Sequence, residues 1–178
     1  MPDQLETDFI GLPIPKLKFT DIEGVATHTE AYPDSIVVVT FAGREGAEDM
    51  SSWMNQAGTI IGRTLPEVPI AFLGFADLRE VPKLMRRLVK PMLKLANKQF
   101  KVNLASSYPR RKPSHHFTAD WDGGHKRAFG LPAESTYDAL VFHKGQMVGH
   151  IDENTVNQVT TFVGLIEDIS KQEKIAVH

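Results

Sequence analysis

The sequence predicts a single α/β domain in which a mixed central sheet is flanked by helices on both faces. Residues 35–41 and 68–75 are apolar, β-branched runs typical of strands that are buried on both sides. A helix-period apolar pattern follows each run, and residues 137–151 carry the pattern of a hairpin. Alternating strands and helices that end in a hairpin favour a mixed sheet, and 178 residues are enough for one such domain.

The ends of the chain differ in composition from its middle. Residues 1–16 combine acidic side chains with three prolines, which predicts an extended N-terminal arm leading into a first strand at 17–19. We expect the single domain to span 17–170 and a C-terminal tail to follow at 171–178. Within the domain, residues 35–41 should form a central strand, and 68–75 should lie parallel to it.

Two long helices are predicted, one after each of these strands. Pro91 should kink the second helix or mark a junction between two helices. The first helix begins at residue 48 and is ended by Gly62 or Pro66, and its predicted inward residues are Met50, Trp53, Met54, Ala57, Ile60 and Ile61. For the second, the predicted core stripe is Val81, Leu84, Met85, Leu88, Met92, Leu95 and Ala96, with basic residues largely opposite.

The last third of the chain predicts a strand at 116–119, a turn at 120–124 and a brief helix at 125–129. A tight antiparallel hairpin should follow, turning at residues 143–145. The terminal helix is predicted over 155–169 with Asn154 as its N-cap. Its predicted inward residues are Val156, Val159, Phe162, Val163 and Ile166.

The chain contains no cysteine, and this excludes disulfides, thiolate metal sites and cysteine nucleophiles. The first thirty residues lack the pattern of a secretory signal, and no apolar run is long enough to span a membrane. A cytoplasmic protein is therefore our expectation, although a periplasmic protein whose signal peptide has been removed would show the same sequence features.

Basic residues are concentrated in one segment, although the formal net charge is only -2. Residues 79–112 hold eleven of the twenty Lys and Arg but one of the twenty-two acidic residues, a local net charge of +10. The other nine basic and twenty-one acidic residues sum to -12. This segment is either a solvated helix face or a binding surface. The binding residues we predict are Lys83, Arg86, Arg87, Lys90, Lys94 and Lys98.

If the segment binds, an acidic protein or self-association with the acidic part of another copy is the favoured partner. Nucleic acid is less favoured because only Phe100 and Tyr108 could stack on bases within the segment. A membrane surface is a third alternative, also less favoured.

Several segments in order resemble the redoxin and peroxiredoxin branch of the thioredoxin-like superfamily. LPIPKLKFTDIEGVATHTEAYPDSIVVVTF resembles that family's proline-bearing entry, D-x-x-G hairpin and first central strand. ADWDGGHKRAFGL resembles its D-x-D-G loop and short helix, and YDALVFHKGQMVGHID resembles its final hairpin. The resemblance covers roughly residues 12–170 and implies a thioredoxin-like fold.

The chain departs from this family where the family does its chemistry. Alignment from Phe41 places the family's two thiol positions near Gly46 and Asp49, and neither residue can act as a thiol nucleophile. The family's cis-proline position falls on Tyr137, after Thr136, and a non-proline cis bond costs about 3 kcal/mol. We therefore expect a trans bond and a reshaped loop.

The resemblance and these departures together predict a redox-inactive protein-binding module. The candidate binding positions at the redox-equivalent site are Arg44, Glu45, Gly46, Asp49, Thr136 and Tyr137. The alternative is an enzyme that uses the non-thiol groups of Arg44, Glu45, Asp49 and Tyr137. Glu48 and Asp49 also have a purely structural explanation, because acids in a first helical turn complement the helix dipole.

One cluster contains side chains of the types that bind metals. It comprises His115, His116, Asp120, Asp122 and His125. Its spacing matches no known ligand pattern, adjacent strand residues point to opposite faces, and the aspartates are explained by a turn. We therefore predict no metal and no cofactor, and no catalytic residue.

Overall fold

The computed structural model describes residues 9–176, and it contains a five-stranded mixed sheet beside a small two-stranded one. The large sheet has the order β5-β4-β3-β6-β7, in which β3, β4 and β5 are parallel and β6 and β7 are antiparallel to their neighbours. The small sheet pairs β1 with β2. The strands are β1 (Lys18–Thr20), β2 (Ala26–His28), β3 (Ile36–Ala42), β4 (Ile70–Asp77), β5 (Ser114–Asp120), β6 (Tyr137–His143) and β7 (Gln146–Asp152).

The described chain contains four α-helices and one 3-10 turn, and the last helix follows the last strand. None of these helices is long and apolar enough to cross a membrane. The helices are α1 (Ala47–Thr64), α2 (Arg86–Ser107), α3 (Gly124–Ala128) and α4 (Gln158–Ala176), and the 3-10 turn (Lys83–Met85) directly precedes α2.

The predicted central strand is confirmed. Residues 36–41 of β3 are all buried, and alternate side chains enter different cores on the two faces of the sheet. Ile36 and Val38 pack with residues of α1, α2 and α4, whereas Val39 and Phe41 pack with the N-terminal segment, β1 and the region of α3. The α/β class with both faces covered is therefore as predicted.

The hairpin prediction is also confirmed at its turn. Lys144 and Gly145 both have positive φ, of 50° and 77°, as a two-residue turn of this kind requires. A bulge between Val141 and Phe142 shifts the register, so His150 lies opposite Leu140.

The second helix differs from its prediction. It runs through Pro91 without interruption, so no two helices meet there. Its buried residues are Leu93, Asn97 and Leu104, not the predicted core stripe. The buried face of α2 is the face that carries Leu104. Leu104 and Tyr108, the residue after the helix, pack against α1 and the sheet.

The terminal helix begins three residues later than predicted and extends seven residues further. Asn154 lies in the preceding turn and does not cap the helix; its N–H donates to Asp152. Val156 is 88% exposed, so its predicted inward position is wrong, whereas Phe162 and Ile166 are buried as predicted. Ile60 of α1 is likewise exposed, not inward.

Part of the predicted N-terminal arm, residues 1–8, lies outside the described residues. The remainder runs beside β7, where Pro13 bridges to Gln146 and the N–H of Ile14 donates to the carbonyl of Gly145 at 2.8 Å. The side chain of Ile14 is buried in the core on that face.

Candidate functional site

The redox-equivalent loop, residues 43–49 with Thr136 and Tyr137, is held together by a close backbone contact. Gly43 N–H donates to the carbonyl of Thr136 at 3.1 Å. A Cβ atom at Gly46 would overlap the same carbonyl oxygen, so glycine is required by this approach. The structure thus brings these predicted positions together, with the side chains of Arg44, Glu45 and Asp49 exposed around them.

Tyr137 is part of the core, although the sequence offered it as a binding candidate. The Thr136–Tyr137 bond is trans, as predicted for a site without proline. The ring is 3% exposed and lies 6.5 Å from that of Trp53, and its hydroxyl accepts a hydrogen bond from Gln158 at 3.1 Å. Burial raises the pKa of this hydroxyl, so it is neutral at physiological pH.

The 3-10 turn and α2 carry an exposed apolar stripe on the side away from the core. Leu88, Met92 and Leu95 are 63%, 68% and 70% exposed, and Leu84 in the preceding turn is 91% exposed. Their spacing of three and four residues places them on one face of the helix, which continues to the exposed Val102. Leu84, Leu88, Met92 and Leu95 were predicted to be core, and the structure places them in solvent.

Basic side chains occupy a second exposed face of α2, adjacent to this stripe. Five of the six predicted basic residues are exposed, and helical geometry places them between the stripe and the buried face. We define the α2 surface as the stripe residues Leu84, Leu88, Met92 and Leu95 together with the basic residues Lys83, Arg87, Lys90, Lys94 and Lys98.

Arg86 is the exception among the predicted basic residues. Its guanidinium lies 5.1 Å from the ring centre of Trp121 and donates to the carbonyl oxygen of that residue at 3.2 Å. It therefore fixes the start of α2 to the loop after β5 and lies outside the α2 surface.

A buried charged cluster that was not predicted from the sequence lies at the strand ends below the redox-equivalent loop. Lys126 is 2% exposed, and its Nζ lies 3.6 Å from Asp77 and 3.5 Å from Asp138 and donates to the carbonyl of Ser135 at 2.8 Å. Arg79 binds Asp77 through two hydrogen bonds of 2.8 and 2.7 Å. The sequence feature that could have indicated this cluster is the aspartate that ends both β4 and β5.

Two aspartates are held in their charged form: Asp77, and Asp120, which accepts a hydrogen bond from the backbone N–H of Lys126. Burial alone would raise the pKa of Asp77, but hydrogen bonds and charge from Arg79 outweigh it and lower that pKa. In Asp120 burial is likewise outweighed, by hydrogen bonds from His125 and from the backbone N–H of Lys126, and its pKa is lowered. These contacts make the cluster a structural clamp between strand ends.

The residues considered as metal ligands are separated into different environments. Among residues 9–176, no three His, Asp or Glu side chains are grouped so that they could hold a metal ion. His125 bonds Asp120 at 3.2 Å, whereas His116 lies between Asp21 and Tyr32, at 2.7 Å from each. His115 packs against Phe100 with ring centres 4.7 Å apart.

Comparison with known proteins identifies the fold. No protein-family model and no curated protein sequence matches the chain. Solved structures do match it. A DsbF homologue from Corynebacterium diphtheriae is 14% identical with a TM-score of 0.56, covering 89% of this chain and 87% of its own. A putative thiol:disulfide interchange protein DsbE from Chlorobium tepidum is 12% identical with a TM-score of 0.57, covering 89% and 96%.

BsSco, a member of the Sco family of cytochrome c oxidase assembly proteins, is 13% identical with a TM-score of 0.59, covering 92% of this chain and 96% of its own. The chain has the thioredoxin-like fold. The expected strand order and final hairpin of that fold are present, with Tyr137 as the first residue of the hairpin. Cysteine is absent, so the thiol and disulfide chemistry named for these structures has no counterpart among the residues of this chain.

The clamp predicts a specific pH dependence of stability. Because the pKa of Asp77 is lowered below its ordinary 3.8, its contribution is complete above that value and is lost as pH falls through the lowered pKa. Asp77→Asn should therefore reduce the free energy of unfolding at pH 7 by about 2 kcal/mol, the scale of a hydrogen bond to a charged group. The difference from wild type should shrink below pH 3.8.

Denaturant unfolding followed between neutral and acid pH measures this difference. Asp34→Asn, at an exposed position, serves as the control and should follow wild type to within about 0.5 kcal/mol. A deficit of Asp77→Asn that stays constant into acid would show that charge on Asp77 does not stabilise the strand ends.

Proposed function

We propose that this protein is a redox-inactive, thioredoxin-like binding module that docks an acidic partner protein on the α2 surface. The exposed apolar stripe carries the proposal. Leucine and methionine side chains that remain 63% to 91% exposed along more than two helical turns form a contiguous apolar patch, and such patches mark interaction sites. Packing of α2 on the core does not require the stripe residues, because Leu93 and Leu104 are buried on the inner face of the helix.

The charge beside the stripe determines the class of partner. Lys83, Arg87, Lys90, Lys94 and Lys98 are exposed and make no ion pair within the described residues. A partner that presents apolar side chains bordered by Asp and Glu would cover the stripe and neutralise these charges together. Complementary charge of this kind also accelerates association.

The composition of the α2 surface favours a protein over nucleic acid or a membrane. Tyr108 is 5% exposed and Phe100 packs against Phe72, so neither aromatic ring is available to stack on bases. The stripe contains Leu and Met without Trp or Phe, which commonly anchor helices at lipid interfaces. Flexible methionine side chains suit a protein partner, because they adapt to its contours.

The enzyme alternative has less support from the geometry of the redox-equivalent loop. Of Arg44, Glu45, Asp49 and Tyr137, only Arg44 lines the cavity beside the loop. Tyr137 is engaged in the core, and Glu45 and Asp49 extend into solvent. A cytoplasmic location remains our prediction, and fractionation of the expressing cells would test it.

The absence of thiols gives the first prediction. In insulin-reduction and peroxide-consumption assays the protein should give rates equal to buffer, because no residue can alternate between thiol and disulfide. A thioredoxin assayed in parallel shows that each assay works. Peroxide consumption that rises with the concentration of this protein would refute a redox-inactive module.

The second prediction concerns the basic part of the α2 surface. Proteins captured from an extract of expressing cells are identified, and the most acidic one is purified for binding measurements. Its affinity should fall steeply between about 50 and 200 mM salt, because exposed charges are screened over about 8 Å at physiological ionic strength. The quadruple variant Lys83→Glu, Arg87→Glu, Lys90→Glu and Lys94→Glu should abolish binding without unfolding the exposed face.

The matched control reverses four exposed basic residues outside α2 and therefore carries the same net charge: Lys18→Glu, Arg63→Glu, Lys144→Glu and Lys174→Glu. It should bind the partner like wild type. Equal loss in both quadruple variants, or unchanged binding by the α2 variant, would contradict docking on this surface. Failure to capture any acidic protein would also contradict the proposal. This holds whether the protein then binds phosphatidylserine vesicles or only associates with itself.

A further inference from the structure

A cavity of about 240 Å³ lies behind the redox-equivalent loop, between the sheet and helices α1 and α2. Its walls are mainly apolar, and aromatic rings and methionines dominate them. Three exposed residues, Arg44, Ala47 and Ala96, belong to the lining, so the cavity reaches the surface between the loop and α2. The apolar side chains of the lining include Met50, Met54, Phe72, Phe100 and Phe117.

Two polar residues in this wall have buried atoms without partners. Asn97 is 4% exposed, and its Oδ1 has no hydrogen-bond donor within the described chain. The Nδ1 atom of His115 is likewise buried and unpartnered. Most buried polar atoms in proteins are hydrogen-bonded, so two exceptions in the wall of one cavity require an explanation.

Core packing does not supply that explanation. Asn97 lies on the same inner face of α2 as Leu93 and Leu104, where a leucine would fill the position without leaving an amide unpaired. An unpaired buried amide lowers stability, and residues that do so are typical of binding sites.

We propose that this cavity binds a small, uncharged aromatic molecule that donates a hydrogen bond to Asn97. The size suits a one- or two-ring compound, since a cavity of about 150 Å³ holds benzene in other proteins. Aromatic and methionine walls favour an aromatic body. The amide oxygen of Asn97 can only accept, so the ligand supplies an N–H or O–H group.

The environment of His115 explains why the ligand is uncharged. Burial lowers the pKa of His115 to about 4, with a smaller effect from the charge of Lys101, so the ring is neutral at physiological pH. Arg44, the one charged residue of the lining, is exposed to solvent. A charged ligand group in the interior would therefore lose its hydration without compensation.

Indole and indene test this inference, because they share one shape and only indole has an N–H donor. We expect the full-length protein to bind both in an NMR titration, with indole bound about five- to tenfold more tightly, the value of one net hydrogen bond. Asn97→Leu should remove that preference and leave the affinity for indene largely unchanged. The variant should also melt at a higher temperature than wild type without ligand, since it loses an unpaired amide.

A cavity-filling variant and its control complete the experiment. Ala96→Phe enlarges a residue of the lining and should abolish binding of both compounds. Ala105→Phe makes the same change at an exposed position of α2 outside the lining, and it should bind like wild type. Absence of indole binding, equal affinity for indole and indene, or binding that survives Ala96→Phe would each overturn the proposal.

Discussion

A buried ammonium group at the strand ends supports the part of the molecule on which both proposed sites depend. Lys126 lies between the carboxylates of Asp77 and Asp138, and so it joins the end of β4 to the beginning of β6. Loss of the Lys126 charge would be costly, about 3–5 kcal/mol, because the buried carboxylate of Asp138 would stay desolvated without it. The hydrogen bond from Lys126 to Ser135 fixes the segment that leads directly to Thr136.

Two consequences follow from this clamp. Thr136 is held against Gly43 and Gly46, which closes the redox-equivalent loop over the cavity with backbone contacts in place of a reactive side chain. Arg79, bound to Asp77, begins the basic segment, and Arg86 on Trp121 fixes the start of α2. These contacts hold the start of α2 and leave its outer face exposed, as the proposed docking surface requires.

Local pattern predicted most of the fold. The β-branched run at β3, the Lys144-Gly145 turn and the glycine-ended α3 each carry a signal within a few residues. The orientation of α2 could not be obtained in this way, because the helix has two apolar stripes and only contacts distant in sequence select one. Leu104 and Tyr108 make those contacts, so the larger stripe faces solvent.

Site-specific photo-crosslinking tests most directly whether the acidic partner binds on α2 and not on the redox-equivalent loop. A photoreactive amino acid is introduced at Leu88, in the centre of the stripe, and separately at Glu45, on the exposed loop. Irradiation with the purified acidic partner should give a covalent complex from position 88 and none from position 45. Crosslinks from position 45 alone would place the partner on the loop and contradict the account.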